Sequence, residues 1–228
     1  MNNKKTIFVS GAGQDLGKAI VQRCAQNPNY NFILHYYKSK IETETLATEI
    51  GCHNIIQADL SNKKEVASIA PFLKQADIMI NTVGSFFWQT LIDTPIEDFE
   101  YCIQNNLMTA WYLSKHCIPA MCERGFGRII NFGSIACDQI TTRPMTTPYY
   151  IAKTSTLIMT KTFAQELQGT NVTINMISPG VLPSGKQPNP QTPIIPFDRI
   201  ADEVYRIISD ENIFINGANI DISAGWRP

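Results

Sequence analysis

Thr6-Ile7-Phe8-Val9-Ser10 runs without interruption into Ser10-Gly11-Ala12-Gly13-Gln14-Asp15-Leu16-Gly17-Lys18, and the reading of this stretch decides the fold. The first part is a short apolar run rich in β-branched and aromatic residues, bounded by glycine, which predicts a strand. The second places three glycines at a strand-to-helix turn, where glycine permits positive φ and lets backbone approach backbone or a ligand closely. From Leu16 the apolar spacing becomes helical and predicts a helix over 16–26. A helix starting there offers free N–H groups and a positive dipole end, suited to an anion such as a pyrophosphate. A tight turn with no ligand accounts for the same glycines.

The same alternation continues outward along the chain. Strands are predicted at 6–10, 31–36, 54–57, 78–81, 127–132, 172–178 and 218–222. Helices are predicted between them at 16–26, 42–50, 63–75, 99–123, 149–168 and 201–209. Strands alternating with helices imply right-handed crossovers and a parallel sheet. Strands apolar along their whole length imply helices on both faces. The fold class is therefore α/β, a doubly wound parallel sheet of about seven strands. No linker or repeat divides residues 1–228, so one domain is expected. Its one compositional break is the proline-rich stretch 179–196, with prolines at 179, 183, 188, 190, 193 and 196, which reads as a loop.

Composition narrows the function classes. The 228 residues carry 19 Lys+Arg against 20 Asp+Glu, a formal charge of −1, which argues against a basic nucleic-acid footprint. No apolar run approaches the roughly 20 residues that span a bilayer, and the start Met1-Asn2-Asn3-Lys4-Lys5 lacks a signal-peptide pattern. The expectation is a soluble cytoplasmic protein with no nucleic-acid or membrane partner. The six cysteines do not form a disulfide framework, and no C-x-x-C occurs. His116, Cys117 and Cys122 fall in a helical stretch and read as core residues, so no metal site is expected.

Several motifs then fall in one order. Ser10-Gly11 with Asp15-Leu16-Gly17 follows the first strand and Asp59-Leu60 the third. Asn81-Thr82-Val83-Gly84 follows the fourth, Asn105-Asn106-Leu107 lies on the long helix, and Ser134 ends the fifth strand. Tyr149-Tyr150-Ile151-Ala152-Lys153 opens the next helix, and Pro179-Gly180 ends the sixth strand. Across essentially its whole length the chain resembles the short-chain dehydrogenase/reductase family, single-domain branch, among them 3-oxoacyl-carrier-protein reductases and pteridine reductases. The resemblance implies a Rossmann-type fold and a nicotinamide cofactor. It departs from the family pattern at Asp15, where the turn's middle glycine stands, and at Val83, where alanine is usual. Tyr36 and Lys40 form a second Y-x-x-x-K pair, read as a decoy because it spans the end of a strand.

Tyr149 and Lys153 lie one helical turn apart on one face. A nearby cation favours phenolate, so Lys153 is expected to lower the Tyr149 pKa. Such a tyrosine can protonate a developing alkoxide while a dihydronicotinamide supplies hydride, with Ser134 hydrogen-bonding the same oxygen. The family resemblance implies that Lys153 also holds the nicotinamide ribose and that Asn106 holds a relay water; an asparagine there can alternatively cap or bend the helix. Further cofactor contacts are implied for Gly11, Gly13, Asp15, Leu16, Gly17, Asp59, Leu60, Asn81, Val83, Gly84, Pro179, Gly180 and Val181. Asp15 can instead cap the helix.

No carboxylate ends the second strand, where Asp or Glu would accept the ribose hydroxyls of NAD. Tyr37, Lys38 and Ser39 offer a cation and hydroxyls suited to a 2′-phosphate, which favours NADP(H) over NAD(H); a solvated basic turn is the alternative. The family resemblance makes 181–196 a short substrate loop. Phe86 and Phe87, followed by Trp88, either line a substrate pocket or pack in the core. The preferred reading is an NADPH-dependent carbonyl reductase acting on a 3-oxoacyl thioester or small ketone, with Ser134 and Tyr149 at the substrate. Pteridine or dihydromonapterin reduction is the alternative, and a non-catalytic NADP(H) sensor a third. A homotetramer or homodimer joined through the two long helices is expected.

Overall fold

The computed structural model describes residues 4–209 and 212–228. Its strands are β1 (Lys5–Ser10), β2 (Tyr30–Tyr36), β3 (Ile55–Gln57), β4 (Ile78–Asn81), β5 (Gly127–Phe132), β6 (Val172–Pro179) and β7 (Asn219–Ile222). They form one sheet in the order β3-β2-β1-β4-β5-β6-β7. Every pairing is parallel. The order reverses between β1 and β4, which pair from Ile7↔Ile78 to Ser10↔Asn81. That reversal opens a crevice beyond the carboxyl ends of the strands, where doubly wound sheets bind ligands.

Alternate side chains of each strand enter opposite layers, which explains the uninterrupted apolar runs. Ile7, Val9, Leu34, Ile78, Ile80 and Ile130 pack in one core with the helices α1 (Asp15–Ala25), α2 (Lys40–Ile50) and α8 (Phe197–Ile207). Phe8, Ile33, Met79 and Ile129 pack in the other, with α3 (Lys63–Ser68), α4 (Ala70–Leu73), α6 (Thr109–Arg124) and α7 (Thr147–Glu166).

Two predicted helices are divided. The one expected at 63–75 breaks at Ile69, with Pro71 in the first turn of α4; proline cannot donate to the preceding turn, and its fixed φ suits a helix start. The one expected at 99–123 is α5 (Ile96–Ile103), a π-helical turn Gln104–Met108, and α6. Asn106 sits buried in that widened turn. From 181 to 196 the chain forms no helix. The loop is closed at its base by the Ile195 N–H donating to the Val181 carbonyl at 2.7 Å. Among the described residues no helix is long and apolar enough to cross a membrane. No group of three or more His, Cys, Asp or Glu side chains there is placed to hold a metal.

Candidate active site

A cleft of about 1180 Å³ runs across the carboxyl edge of the sheet. It is lined by the turn after β1 (Gly11, Asp15, Leu16, Gly17) and the segment after β4 (Val83, Gly84, Phe86, Trp88). Ser134 after β5, Tyr149 and Lys153 on α7, and Pro179, Gly180 and Val181 after β6 complete it. Residues far apart in sequence thus converge because parallel strands end on one side.

The first turn is shaped by sterics. Gly11 has φ +60°, and a Cβ on Gly17 would lie 2.2 Å from the Gly11 carbonyl oxygen. Helix α1 therefore sits against the turn as closely as backbone allows. Gln14 is its N-cap and makes no side-chain cap hydrogen bond. Asp15 is the first helical residue rather than the cap, which corrects that expectation. It holds φ +47°, the left-handed region that favours the missing glycine. Asp15→Gly relieves that strain but adds chain entropy, so stability should change by less than about 1 kcal/mol. Removing its carboxylate from the N-terminus of α1 should also tighten the binding of added NADPH several-fold, measured by fluorescence titration.

His35 supports the turn from behind. It is 1% exposed; its Nδ1 accepts from the Gly11 N–H at 3.2 Å, and its Nε2–H donates to the Ala58 carbonyl at 2.9 Å. Desolvation pushes its pKa down to about 4, so the neutral Nε2–H form satisfies both contacts. The unfolded chain binds this proton below its ordinary value of about 6.5, the folded chain only near 4. Stability should therefore fall as pH drops through that window, by an amount on the order of 3 kcal/mol at its lower end. Urea unfolding of wild type and His35→Gln at several pH values measures the part that disappears with the imidazole.

The catalytic candidates meet at Gly84. Lys153 is buried, and its Nζ donates to the Phe132 carbonyl at 2.8 Å. Asn106 donates through Nδ2 to the carbonyls of Ser85 and Cys102, both at 2.9 Å. Its Oδ1 is buried without a partner. A Cβ on Gly84 would stand 2.5 Å from that Oδ1 and 3.2 Å from Lys153 Nζ. An acceptor and an ammonium thus face one small space that only glycine leaves open.

Tyr149 is half-buried. Burial raises its phenol above the ordinary value, opposed by a hydrogen bond with Ser134. Burial lowers Lys153 to about 8. The expectation that Lys153 depresses Tyr149 is therefore corrected: the ammonium lies 5.5 Å from the Tyr149 ring centroid, and desolvation dominates. Ser134 Oγ also donates to the Tyr150 hydroxyl at 3.4 Å, and Tyr150 donates on to the Ile135 carbonyl at 3.0 Å. Tyr36 and Lys40 lie apart from this centre, at the end of β2 and the start of α2.

Some predicted contacts lie off the cleft wall. Gly13 faces α2, where a Cβ would meet Thr43 Oγ1 at 2.4 Å. Asn81 is buried and accepts from Ser10 Oγ at 3.0 Å, joining the ends of β1 and β4. Leu60 is core, and Asp59 accepts from the Ser61 N–H at 2.9 Å. Tyr37, Lys38 and Ser39 follow β2, with Tyr37 and Lys38 exposed, on the same edge but outside the cleft. Phe87 turns away and packs edge-on against Tyr101 at 6.1 Å. Phe86 lines the cleft, edge-on to Tyr149 at 5.0 Å. Trp88, expected either in the pocket or in the core, lines it as well, and so do Arg143 and Lys186, which the sequence reading did not assign to the site. The alternation Phe86 out, Phe87 in, Trp88 out is the period of an extended segment, a signal that could have separated the three.

Comparison with known proteins agrees with this architecture. The family model described as short chain dehydrogenase matches residues 5–190. D-beta-hydroxybutyrate dehydrogenase of Rhizobium meliloti (strain 1021) is 29% identical over 187 residues, covering 77% of this chain and 70% of that protein. The 3-oxoacyl-(acyl-carrier-protein) reductase of Buchnera aphidicola subsp. Baizongia pistaciae (strain Bp) is 27% identical, covering 97% of each chain. A putative 3-oxoacyl-reductase from Bacillus thuringiensis superposes with TM-score 0.89 at 21% identity over 99% of both chains. A short chain dehydrogenase from Burkholderia cenocepacia J2315 in complex with NADP superposes with TM-score 0.86 at 23% identity, again over 99% of both. With its doubly wound sheet, its crevice at the strand reversal and a family match over most of its length, the chain belongs to the short-chain dehydrogenases, oxidoreductases acting on CH–OH and C=O groups.

Proposed function

We propose that the protein is an NADPH-dependent carbonyl reductase in which Tyr149 is the general acid. The observation that carries the reading is the convergence of Tyr149, Ser134, Lys153 and the unpartnered Asn106 Oδ1 on one cleft. The cleft also fits a dinucleotide. The first turn of α1 has no side-chain cap, so its N–H groups are free for a pyrophosphate. Gly84 keeps open the space between Asn106 Oδ1 and Lys153 Nζ. Gly11, Leu16 and Gly17 would hold the pyrophosphate, Lys38 and Ser39 the 2′-phosphate, and Lys153 the nicotinamide ribose hydroxyls. NADP in the Burkholderia cenocepacia protein supports the same choice. The bound cofactor supplies hydride.

The chain's own residues then act on the carbonyl oxygen. Ser134 donates to it and fixes its position against Tyr149. Tyr149 Oη releases its proton to the oxygen as negative charge develops there, and Lys153 stabilises the phenolate that remains. Asn106 Oδ1 accepts from a water that returns a proton to the site. Phe86, edge-on to Tyr149, limits water on that side of the phenol.

The test follows NADPH and NADH oxidation with an acetoacetyl thioester, simple diketones and a dihydropterin. Ketone or thioester turnover that is faster with NADPH supports the reading. Turnover of the dihydropterin alone would make the protein a pteridine reductase, and tight NADPH binding without turnover would make it a sensor. A homodimer or homotetramer is the matching assembly. The outward faces of α6 and α7 leave Trp111 and Ile158 exposed beside an apolar groove of about 670 Å³, and light scattering measures the state.

A further inference from the structure

We infer that Tyr150 is a positioning residue: its hydroxyl holds the Ser134 hydroxyl, and the peptide that follows it, in place for the carbonyl oxygen of the substrate. The inference rests on the carbonyl-reductase reading and adds a second tyrosine to the same site.

Helix α7 carries two pairs of side chains toward the segment after β5, each pair one helical turn apart. Tyr149 and Lys153 form the first and line the cleft. Tyr150 and Thr154 form the second and grip the backbone that carries Ser134. Tyr150 Oη donates to the Ile135 carbonyl at 3.0 Å, and Thr154 Oγ1 donates to the Cys137 carbonyl at 2.7 Å. Between them the Ala136 carbonyl accepts from Arg143 at 2.9 Å, whose other terminal nitrogen reaches the Pro228 oxygen at 3.3 Å. Each successive carbonyl after the serine, from 135 to 137, is thus held by a side chain.

The grip has a conformational reason. The Cys137 N–H donates back to the Ser134 carbonyl at 3.0 Å, closing a turn of which Ser134 is the first residue. Ala136 is the third and holds φ +60°, where such turns favour glycine. An alanine keeps that backbone only where its surroundings impose it. Ile135, Ala136 and Cys137 are buried, so a carbonyl that loses its donor there has little water to replace it. Removing the Tyr150 hydroxyl therefore loosens the peptide directly after the serine.

Tyr150 also reaches the serine itself. Ser134 Oγ donates to Tyr150 Oη at 3.4 Å. The phenol has one proton, committed to Ile135, so it meets Ser134 as an acceptor. The bond is long: it parks the serine proton without tying it down, and a substrate oxygen can take that proton over. Burial keeps the phenol protonated by raising its pKa, against the opposing effects of Ser134 and of the Arg143 guanidinium 4.3 Å over the ring. The Tyr150 ring also stands edge-on to Tyr149 at 5.8 Å, so one residue seats both groups that meet the carbonyl oxygen.

The experiment is a double-mutant cycle, run with NADPH and the ketone or thioester that wild type reduces best. Tyr150→Phe keeps the ring, removes the one oxygen, and should lower kcat/KM by about tenfold with NADPH affinity near wild type. Ser134→Ala should lower it by about a hundredfold. Adding Tyr150→Phe to Ser134→Ala should then cost less than about twofold, because the tyrosine acts through the serine. Thr154→Val frees a neighbouring carbonyl of the same turn without touching Ser134; it should cost less than about threefold in kcat/KM while lowering Tm comparably. Crystal structures should show a single Ser134 rotamer in wild type and a mixture in Tyr150→Phe. Undiminished turnover by Tyr150→Phe, a full loss that persists in the Ser134→Ala background, or an unchanged Ser134 rotamer would overturn the assignment and leave the reductase reading standing. Undiminished turnover by Ser134→Ala would remove the role of Ser134 and this inference with it. Absence of NADPH oxidation with every ketone and thioester would remove the reductase reading as well.

Discussion

Tyr149→Phe should lower kcat for carbonyl reduction by about a thousandfold, within the range general acids contribute, while leaving NADPH affinity within a few-fold of wild type. The substitution removes one oxygen from a ring already held edge-on by Phe86 and Tyr150, so packing is retained and the loss is chemical. KM should change little, because the proton is needed at the barrier more than in the ground state. Burial holds the wild-type phenol above its ordinary value, and this sets the sign of the pH dependence. Reduction needs the protonated form, which stays populated, so its rate should be flat from about pH 6 to 8. Alcohol oxidation needs the scarce deprotonated form and should climb with pH over the same range. Steady-state rates in both directions check the asymmetry.

The second large effect lies in the glycine turn. An alanine methyl at Gly17 would stand 2.2 Å from the carbonyl oxygen of Gly11, 2.9 Å from its carbon and 3.2 Å from Ala12 Cα. All three are backbone atoms, so no rotamer change relieves the clash and the turn itself must move. Gly17→Ala should weaken dinucleotide binding by roughly 100-fold, about 3 kcal/mol. It should also lower Tm, because α1 can no longer seat on the core through Leu16 and Ile20. Gly51→Ala is the control. Its Cβ would meet nothing within 4 Å, although φ is +67°, so it reports backbone strain without a clash and should leave dinucleotide affinity near wild type. Calorimetric titration and thermal melts separate the two effects.

Most of the sheet was legible because a strand buried on both faces must be apolar at every position. Ile7, Phe8 and Val9 enter alternate cores, and a continuous apolar run between glycine and polar residues encodes that directly. The Tyr149–Lys153 pair was legible because helical spacing places i and i+4 together, and the glycine turn because it stands between strand and helix. The π-helical turn at Gln104–Met108 was not, since one extra residue inside a helix leaves no mark in a broadly apolar segment. Gly13 and Asn81 were assigned to the cofactor because spacing cannot tell a residue on the cleft wall from one packed behind it; Thr43 and Ser10 take up their space and hydrogen bonds. Arg143 and Lys186 come from loops, where no period links position to direction. The depressed Tyr149 pKa failed for a related reason. Spacing shows that a cation is near, but only the fold shows how much water both groups lose.

In the proposed reaction hydride goes to a carbonyl carbon while Tyr149 protonates its oxygen, and isotope transfer follows both events in one product. Cofactor carrying deuterium at the transferring C4 position should be incubated with an accepted ketone, and the alcohol examined by NMR. One deuterium at the carbinol carbon, of a single configuration, is expected, formed by wild type and about a thousandfold more slowly by Tyr149→Phe. Alcohol formed without deuterium at that carbon, or at equal rates in the two proteins, would contradict it.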